Sequence, residues 1–298
     1  MQSNRYESID QFRGFAVLGM VLVNVLGRYS VIPQFFKHQY GTGFSFADAV
    51  APFFMFVVGM AFRVAYIRNV ERSGVLMTWL TVMRRFFTLF VVGAFVYQFN
   101  PDRIFWGALS EISVAGLLAL PAIGLNKKYR IGAAVFYPIL FLALPDWQPF
   151  GKAFEPFLWV SILLLGSLLA DFIQKDDKRG LLWCCLGWGF AFVLIGGVLS
   201  YASLNISHFI FYVGLSFLLY AVFYIVADVC HKPFPHLSVL GKNALVVYAL
   251  HYVVDNDLQK LIAGDASLWL AFSSFGVVYF ACYAVAVYLD KRKYYITV

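Results

Sequence analysis

The stretch FFKHQYGTGFSFADAVAPFFMFVVGM, residues 35–60, decides the fold class, because its second half has the composition of a membrane helix. Asp48 is followed by an apolar run that continues as far as Phe62. A helix needs about 20 mostly apolar residues to cross the roughly 30 Å hydrocarbon core of a bilayer. Similar runs recur along the whole chain, so we predict an all-α polytopic membrane protein.

The composition agrees with this prediction, since 61% of the 298 residues are hydrophobic and 13% are charged. Barrel strands would be about 10 residues long with alternating polarity, and the apolar runs are too long and too continuous for that. The loops are short, so residues 1–298 form one predicted transmembrane domain. Ten spans are predicted, each within a few residues, at 12–28, 46–66, 83–99, 107–125, 131–145, 157–173, 181–200, 208–228, 237–256 and 268–289.

The distribution of lysine and arginine predicts the topology. The first span begins at Phe12 without a small-residue cleavage site, so we expect no cleavable signal peptide. If the N-terminus is cytoplasmic, the cytoplasmic segments hold 18 of the 23 Lys and Arg residues. Positive residues concentrate on the cytoplasmic side of membrane proteins. The sequence therefore predicts both termini in the cytoplasm, in what we expect to be the cytoplasmic (inner) membrane.

The net charge of +7 reflects the positive residues of the predicted cytoplasmic segments. It does not indicate nucleic-acid binding, because no solvated basic domain is evident. The four cysteines show neither metal-ligand spacing nor an extracellular pairing pattern. We therefore expect no metal and no nucleic-acid partner.

Two local patterns flank the first span. The stretch Ser8-Ile-Asp-Gln11 predicts a capping box, in which Ser8 caps the first helix and Gln11 reaches back to it. The Gly-Thr-Gly at 41–43 permits backbone conformations that other residues resist, so the loop 29–45 is expected to fold closely over the helix ends.

Three polar side chains near the start of the second span are candidate catalytic residues. His38 lies ten residues before Asp48, and Asn24 lies near the end of the first span. A neutral imidazole can take a proton from an amine or hydroxyl while a carboxylate stabilises the resulting cation, and an amide can donate to an oxyanion. These residues favour acyl transfer. The simpler alternative is a solvated loop histidine and a carboxylate held by the helix dipole.

Longer motifs resemble a known family. The runs SIDQFRGFAVLGMVLVN, FKH and FADAVAPFFMFVVG, followed late in the chain by LGKNALVVYALH, resemble the transmembrane acyltransferases of the heparan-alpha-glucosaminide N-acetyltransferase family. These pieces occur in the family's order and cover about a third of the chain. The resemblance is to a short form without the family's luminal N-terminal domain.

The resemblance implies a membrane enzyme that takes acetyl-CoA from the cytosolic side and acetylates a terminal amino sugar on the other side. His38 corresponds to the family's catalytic histidine, acting either as a general base or by becoming acetylated, and Asn24 corresponds to its partner. Asp48 would orient the histidine. Residues beside the matched motifs are predicted to contact the cofactor, acetyl-CoA: Arg13, Lys242, Asn243 and His251.

Two of these residues have an open alternative. Asn243 and His251, eight residues apart, would lie about 12 Å apart on nearly the same helix face. They would line the acyl-CoA channel or hydrogen-bond between helices. For the whole protein, the alternative function is a transporter or flippase of a small glycan or lipid. Besides the substrates, the expected partners are the lipid bilayer and a second copy of the chain in a homodimer.

Overall fold

The computed structural model describes residues 6–39, 43–97, 107–144, 155–201 and 206–295. These ranges are helical and contain no β-strand, which confirms the predicted all-α fold. A 3-10 turn at Gln34–Phe36 and a π turn at Ile225–Val229 supplement the α-helices. In chain order the helices are α1 Glu7–Leu26, α2 Phe46–Tyr97, α3 Ala108–Ile123, α4 Lys127–Ala143, α5 Pro156–Gln174, α6 Lys178–Tyr201, α7 Ser207–Tyr224, α8 Pro235–Lys242, α9 Ala244–Leu261 and α10 Leu268–Lys291.

Six helices within the described ranges are long and apolar enough to cross a membrane, and the bent pair α8 and α9 makes a seventh if it counts as one span. The protein is thus an integral multi-pass membrane protein, while the count of ten spans stays a prediction. One difference from the predicted spans is that α2 runs through the expected loop 67–82. It is not one continuous helix, because two helices join there at a kink at Gly74, where φ is 78° and ψ is 170°.

The predicted span 237–256 is not one straight helix, because the chain bends by 84° between α8 and α9. Asn243 lies at the bend with non-helical angles, φ −114° and ψ 27°. Its side-chain nitrogen donates to the carbonyls of Val239 and Ala286, at 3.1 and 3.3 Å. These bonds hold the bend against α10, since a buried amide needs partners in place of water.

The chain forms two compact units. The first unit contains the described residues up to Phe54 and from Cys185 onward, and α1 packs there against α7, α8, α9 and α10. Gly14 and Gly241 bring the backbones of α1 and α8 into direct contact. A methyl group added at Gly14 would overlap the carbonyl of Leu237, and one added at Gly241 would overlap the carbonyl of Asp10. Small residues allow membrane helices this close an approach.

The predicted capping box at the start of α1 is wrong. The helix begins at Glu7, so Ser8 lies inside its first turn, and both polar atoms of the buried Gln11 side chain lack a hydrogen-bond partner among the described residues. Asp228, in the π turn, takes the capping role from a distance of 220 residues. Its carboxylate accepts from the Ser8 amide at 3.4 Å and from the Ser8 hydroxyl at 2.5 Å. Sequence patterns read locally miss such a cap.

Replacing Asp228 with alanine is expected to lower the free energy of unfolding by about 1–2 kcal/mol, because the helix amide and the buried hydroxyl of Ser8 lose their acceptor. Thermal unfolding in detergent measures the effect. The exposed Asp257, which pairs with Lys260 on the surface, provides the matched control Asp257→Ala, with an expected change below about 0.5 kcal/mol. Equal effects of the two substitutions would refute the capping role.

In the second unit, residues 55–184, α5 packs against α3 and α4. Asp171 on α5 forms ion pairs with Arg63, at 3.1 Å, and with the fully buried Arg130. Arg130 also donates to the carbonyl and the hydroxyl of Ser167, at 2.8 and 2.9 Å. Buried charges require such partners, so this network connects the elements of the unit.

Candidate active site

His38 and Asp48 lie in hydrogen-bond contact in the first unit. The Nδ1 atom of His38 is 2.8 Å from Oδ1 of Asp48. A carboxylate only accepts, so in the neutral ring Nδ1 carries the proton and Nε2 carries the lone pair that can accept one. The histidine side chain is 45% exposed and the aspartate side chain 20% exposed. The contact therefore orients an accessible imidazole.

The other carboxylate oxygen of Asp48 is held by two donors. Oδ2 accepts from the backbone amide of Gln39 at 3.0 Å and from the hydroxyl of Ser45 at 2.7 Å. The Ser45 hydroxyl in turn accepts from the Asp48 amide at 3.0 Å, and thereby caps α2. The Ser45 amide donates to the hydroxyl of Tyr212 at 2.9 Å. Both oxygens of Asp48 are thus engaged, and its orientation is fixed before any ligand binds.

Sequence reasoning missed Gln39, Ser45 and Tyr212. A signal existed for Ser45, because Ser45-Phe-Ala-Asp48 has the spacing of a capping box at the start of an apolar run. The contribution of Tyr212 comes from α7, 167 residues further along the chain. No local pattern predicts that contact.

Aromatic packing places the loop that carries His38. The rings of Phe35 and Phe36 lie 6.2 and 6.1 Å from that of Phe46, the first residue of α2. Phe36 also packs on the cluster of Leu26, Tyr29, Ile32 and Ala271. The loop therefore folds back over the ends of α1 and α2. Of the predicted Gly-Thr-Gly stretch, Gly41 and Thr42 lie outside the described residues.

Asn24 pairs with a different histidine. Its Nδ2 atom lies 3.0 Å from Nε2 of His251, which is fully buried on α9. An amide nitrogen donates, so Nε2 accepts and the proton of the neutral ring is on Nδ1. That atom is buried and has no hydrogen-bond partner among the described residues. The structure thus brings together His38 with Asp48, and Asn24 with His251.

The residues predicted to contact acetyl-CoA lie in two places. Arg13 and Lys242 flank the close contact of Gly14 with Gly241, and each faces a carboxylate: Asp10 at 2.5 Å and Asp290 at 3.7 Å. Asn243 is next to Lys242 and His251 is two turns away on α9. Both are buried and bonded within the unit, as the interhelical alternative expects. Their contact with acetyl-CoA stays a prediction.

Comparison with known proteins adds a family match. The family described as heparan-alpha-glucosaminide N-acetyltransferase, catalytic, matches residues 5–186, which is more than half of the chain. This range contains Asn24, His38 and Asp48.

Two curated relatives match smaller parts of the chain. The mouse (Mus musculus) protein named heparan-alpha-glucosaminide N-acetyltransferase is 31% identical over 151 residues, or 49% of this chain and 20% of that protein. An uncharacterised 39.9 kDa protein in the amylase 3' region of Bacillus acidopullulyticus is 28% identical over 156 residues, or 47% of this chain and 43% of that protein. The matched part of the chain thus spans less than half of the length of each relative. By the family match, which confirms the resemblance, the chain belongs to the heparan-alpha-glucosaminide N-acetyltransferase catalytic-domain family.

Proposed function

We propose that the protein is a membrane acetyltransferase that transfers the acetyl group of cytoplasmic acetyl-CoA to the amine of an amino sugar on the extracytoplasmic side. The observation that supports this proposal best is the 2.8 Å contact between His38 and Asp48, within the part of the chain that matches the family. The name of the mouse relative suggests the donor group and the class of acceptor. The concentration of positive charge in the predicted cytoplasmic segments supports the sidedness.

His38 serves as the general base in this proposal. The neutral acceptor amine attacks the thioester carbonyl, so that a C–N bond forms as the C–S bond breaks. Nε2 of His38 takes the proton that the nitrogen loses and returns it to the departing thiolate, giving the amide and free CoA. Asp48 stabilises the imidazolium through Nδ1. Attack of Nε2 itself on the thioester is the covalent alternative, which would leave an acetyl group on His38.

Asn24 stabilises the oxyanion in this proposal. Its amide nitrogen has two N–H groups, and one of them donates to His251. That bond fixes the orientation of the amide and leaves the second N–H for the thioester oxygen as charge develops on it. His251 is then a positioning residue for Asn24.

Arg13 and Lys242 are the proposed contacts for the CoA phosphates. Arg13 is next to Gly14 and Lys242 is next to Gly241, the two glycines at which α1 and α8 touch. A phosphate would have to compete with Asp10 and Asp290 for these cations. Arginine is well suited to such an exchange, because its fork-shaped guanidinium can bind two oxygens at once.

Sealed proteoliposomes test the function against the transporter alternative. Glucosamine is enclosed inside the vesicles, and acetyl-CoA labelled in its acetyl group is added outside. Protein molecules that are inserted with their cytoplasmic face outward are expected to produce labelled N-acetylglucosamine in the lumen. Release of unmodified glucosamine without consumption of acetyl-CoA would instead support a transporter, and unchanged substrates on both sides would contradict the proposal.

Replacing Asp48 with asparagine is expected to lower kcat by about 10- to 100-fold, because a charge-assisted bond to the imidazolium becomes a neutral one. The KM for glucosamine should change little, since Asp48 acts through His38. Initial rates over a range of glucosamine concentrations measure both constants. Asp257→Asn on the exposed face of α9 is the matched control. An unchanged kcat in Asp48→Asn would show that the carboxylate does not assist His38.

A further inference from the structure

Two polar pairs lie one above the other between α1 and α9 in the first unit. Asn24 lies in the last turn of α1 and Arg28 lies two residues beyond the helix, while His251 and Asp255 are four residues apart on α9. His251 and Asp255 therefore share one helix face. Asn24 meets His251 at 3.0 Å, and Arg28 lies 4.0 Å from Asp255. The first pair is hydrogen-bonded, and the second is an ion pair at the limit of contact.

The second pair leaves buried polar atoms unsatisfied. Asp255 is 5% exposed; its Oδ2 accepts from Gln259 at 2.7 Å, and its Oδ1 has no hydrogen-bond partner among the described residues. The distance of 4.0 Å to Arg28 is too long for a hydrogen bond. A buried carboxylate oxygen without a donor is costly. Asp255 is thus arranged to accept a further donor.

Arg28 is held away from Asp255 by its neighbour. Its Nη2 donates to the hydroxyl of Tyr29, and its guanidinium lies 4.5 Å from the centre of that ring. Tyr29 is fully buried and donates to Ser274 on α10 at 2.8 Å. The Nε atom of Arg28 is buried and also lacks a partner among the described residues. One donor and one acceptor, on side chains whose charged groups approach to 4.0 Å, therefore have unused hydrogen-bonding capacity.

Hydroxyl groups fit this arrangement better than charged groups do. An anion would be repelled by Asp255, and an ammonium ion by Arg28. A hydroxyl can donate to Oδ1 of Asp255 and accept from Nε of Arg28, and two neighbouring hydroxyls can satisfy both atoms. A sugar ring presents such neighbouring hydroxyls at fixed spacing. We propose that Arg28 and Asp255 form a subsite for the hydroxyl groups of the sugar acceptor.

The backbone connects this subsite with His38. The chain leaves α1 at Gly27 and returns at Phe36, whose carbonyl oxygen would lie 3.4 Å from a methyl group placed on Gly27. The next residue, Lys37, extends its amine to 3.4 Å from the carbonyl of Ser30. Arg28 and His38 therefore belong to the same end of α1. This inference rests on the proposed function, because it assigns the acceptor of that reaction.

Asp255→Asn tests the subsite. Acetyl transfer is measured with glucosamine and with cyclohexylamine, a ring amine without hydroxyl groups. The KM for glucosamine is expected to rise about tenfold, as one hydrogen bond to a charged group is weakened, while the KM for cyclohexylamine stays unchanged. Asp257→Asn on the same helix is the control and should change neither value. Equal changes for both amines in Asp255→Asn would indicate a structural role and overturn the inference.

Binding without turnover separates the two proposals. Saturation-transfer NMR with glucosamine and the purified protein in detergent reports contact with the sugar even if no acetyl group moves. Binding by the wild type that is about tenfold weaker in Asp255→Asn would support the subsite even if the acetyltransferase proposal failed. No binding by the wild type, or equal binding by both forms, would overturn the subsite whatever the activity.

Discussion

Replacing His38 with alanine is expected to lower the rate of acetyl transfer by about 10²–10⁴-fold, the usual contribution of a positioned general base. The variant keeps Asp48 and its bonds to Gln39 and Ser45, so the loop and the start of α2 retain most of their contacts. The loss should therefore appear in kcat. Initial rates of CoA release in the presence of glucosamine, with purified protein in detergent, measure it.

The matched control is His236→Ala, which removes an exposed histidine on α8 whose ring contacts Tyr283. Its acetyl transfer should equal that of the wild type. Equal thermal unfolding of His38→Ala and the wild type would show that the lost activity is chemical in origin. Full acetyl transfer by a folded His38→Ala variant would refute the role of His38.

Replacing Gly14 with alanine is expected to lower the free energy of unfolding by about 3 kcal/mol, the upper end of the usual cost of overpacking. The added methyl group would overlap the Leu237 carbonyl, a backbone atom that cannot rotate away as a side chain can. The helices α1 and α8 would have to separate, and with them Arg13 and Lys242. Thermal or denaturant unfolding in detergent measures the loss.

Gly276→Ala is the control for Gly14→Ala. Gly276 lies inside α10, and a methyl group added there meets no atom within 4 Å. Alanine is the better helix former by up to about 1 kcal/mol, so this variant should be as stable as the wild type or slightly more stable. Equal stability of Gly14→Ala and Gly276→Ala would refute the tight contact between α1 and α8.

The sequence predicted what depends on local composition. Apolar run length predicted the helical membrane fold, and a carboxylate at the start of α2 with a histidine in the preceding loop predicted a pair that the structure places in contact. The bend at Asn243 escaped prediction because a single-sequence pattern does not distinguish the short polar stretch Gly241-Lys242-Asn243 from polar residues within a continuous helix. Its cause lies in bonds from Asn243 to the carbonyls of Val239 and Ala286.

Contacts between distant parts of the chain could not be predicted from the sequence either. Asp228 caps α1 across 220 residues, and the partner of Asn24 is 227 residues away. The single-sequence pattern gives residue types at positions, but it does not say which helices become neighbours. For this reason Asp48 could be assigned to His38, ten residues away, whereas the pairing of Asn24 with His251 required the structure.

Acetyl transfer by the wild-type protein tests the central claim most directly. Purified protein in detergent is mixed with acetyl-CoA and glucosamine, and free CoA and N-acetylglucosamine are both quantified over time. The account predicts that the two products form in equal amounts and that CoA release depends on glucosamine. Absence of N-acetylglucosamine, with acetyl-CoA left intact, would contradict it.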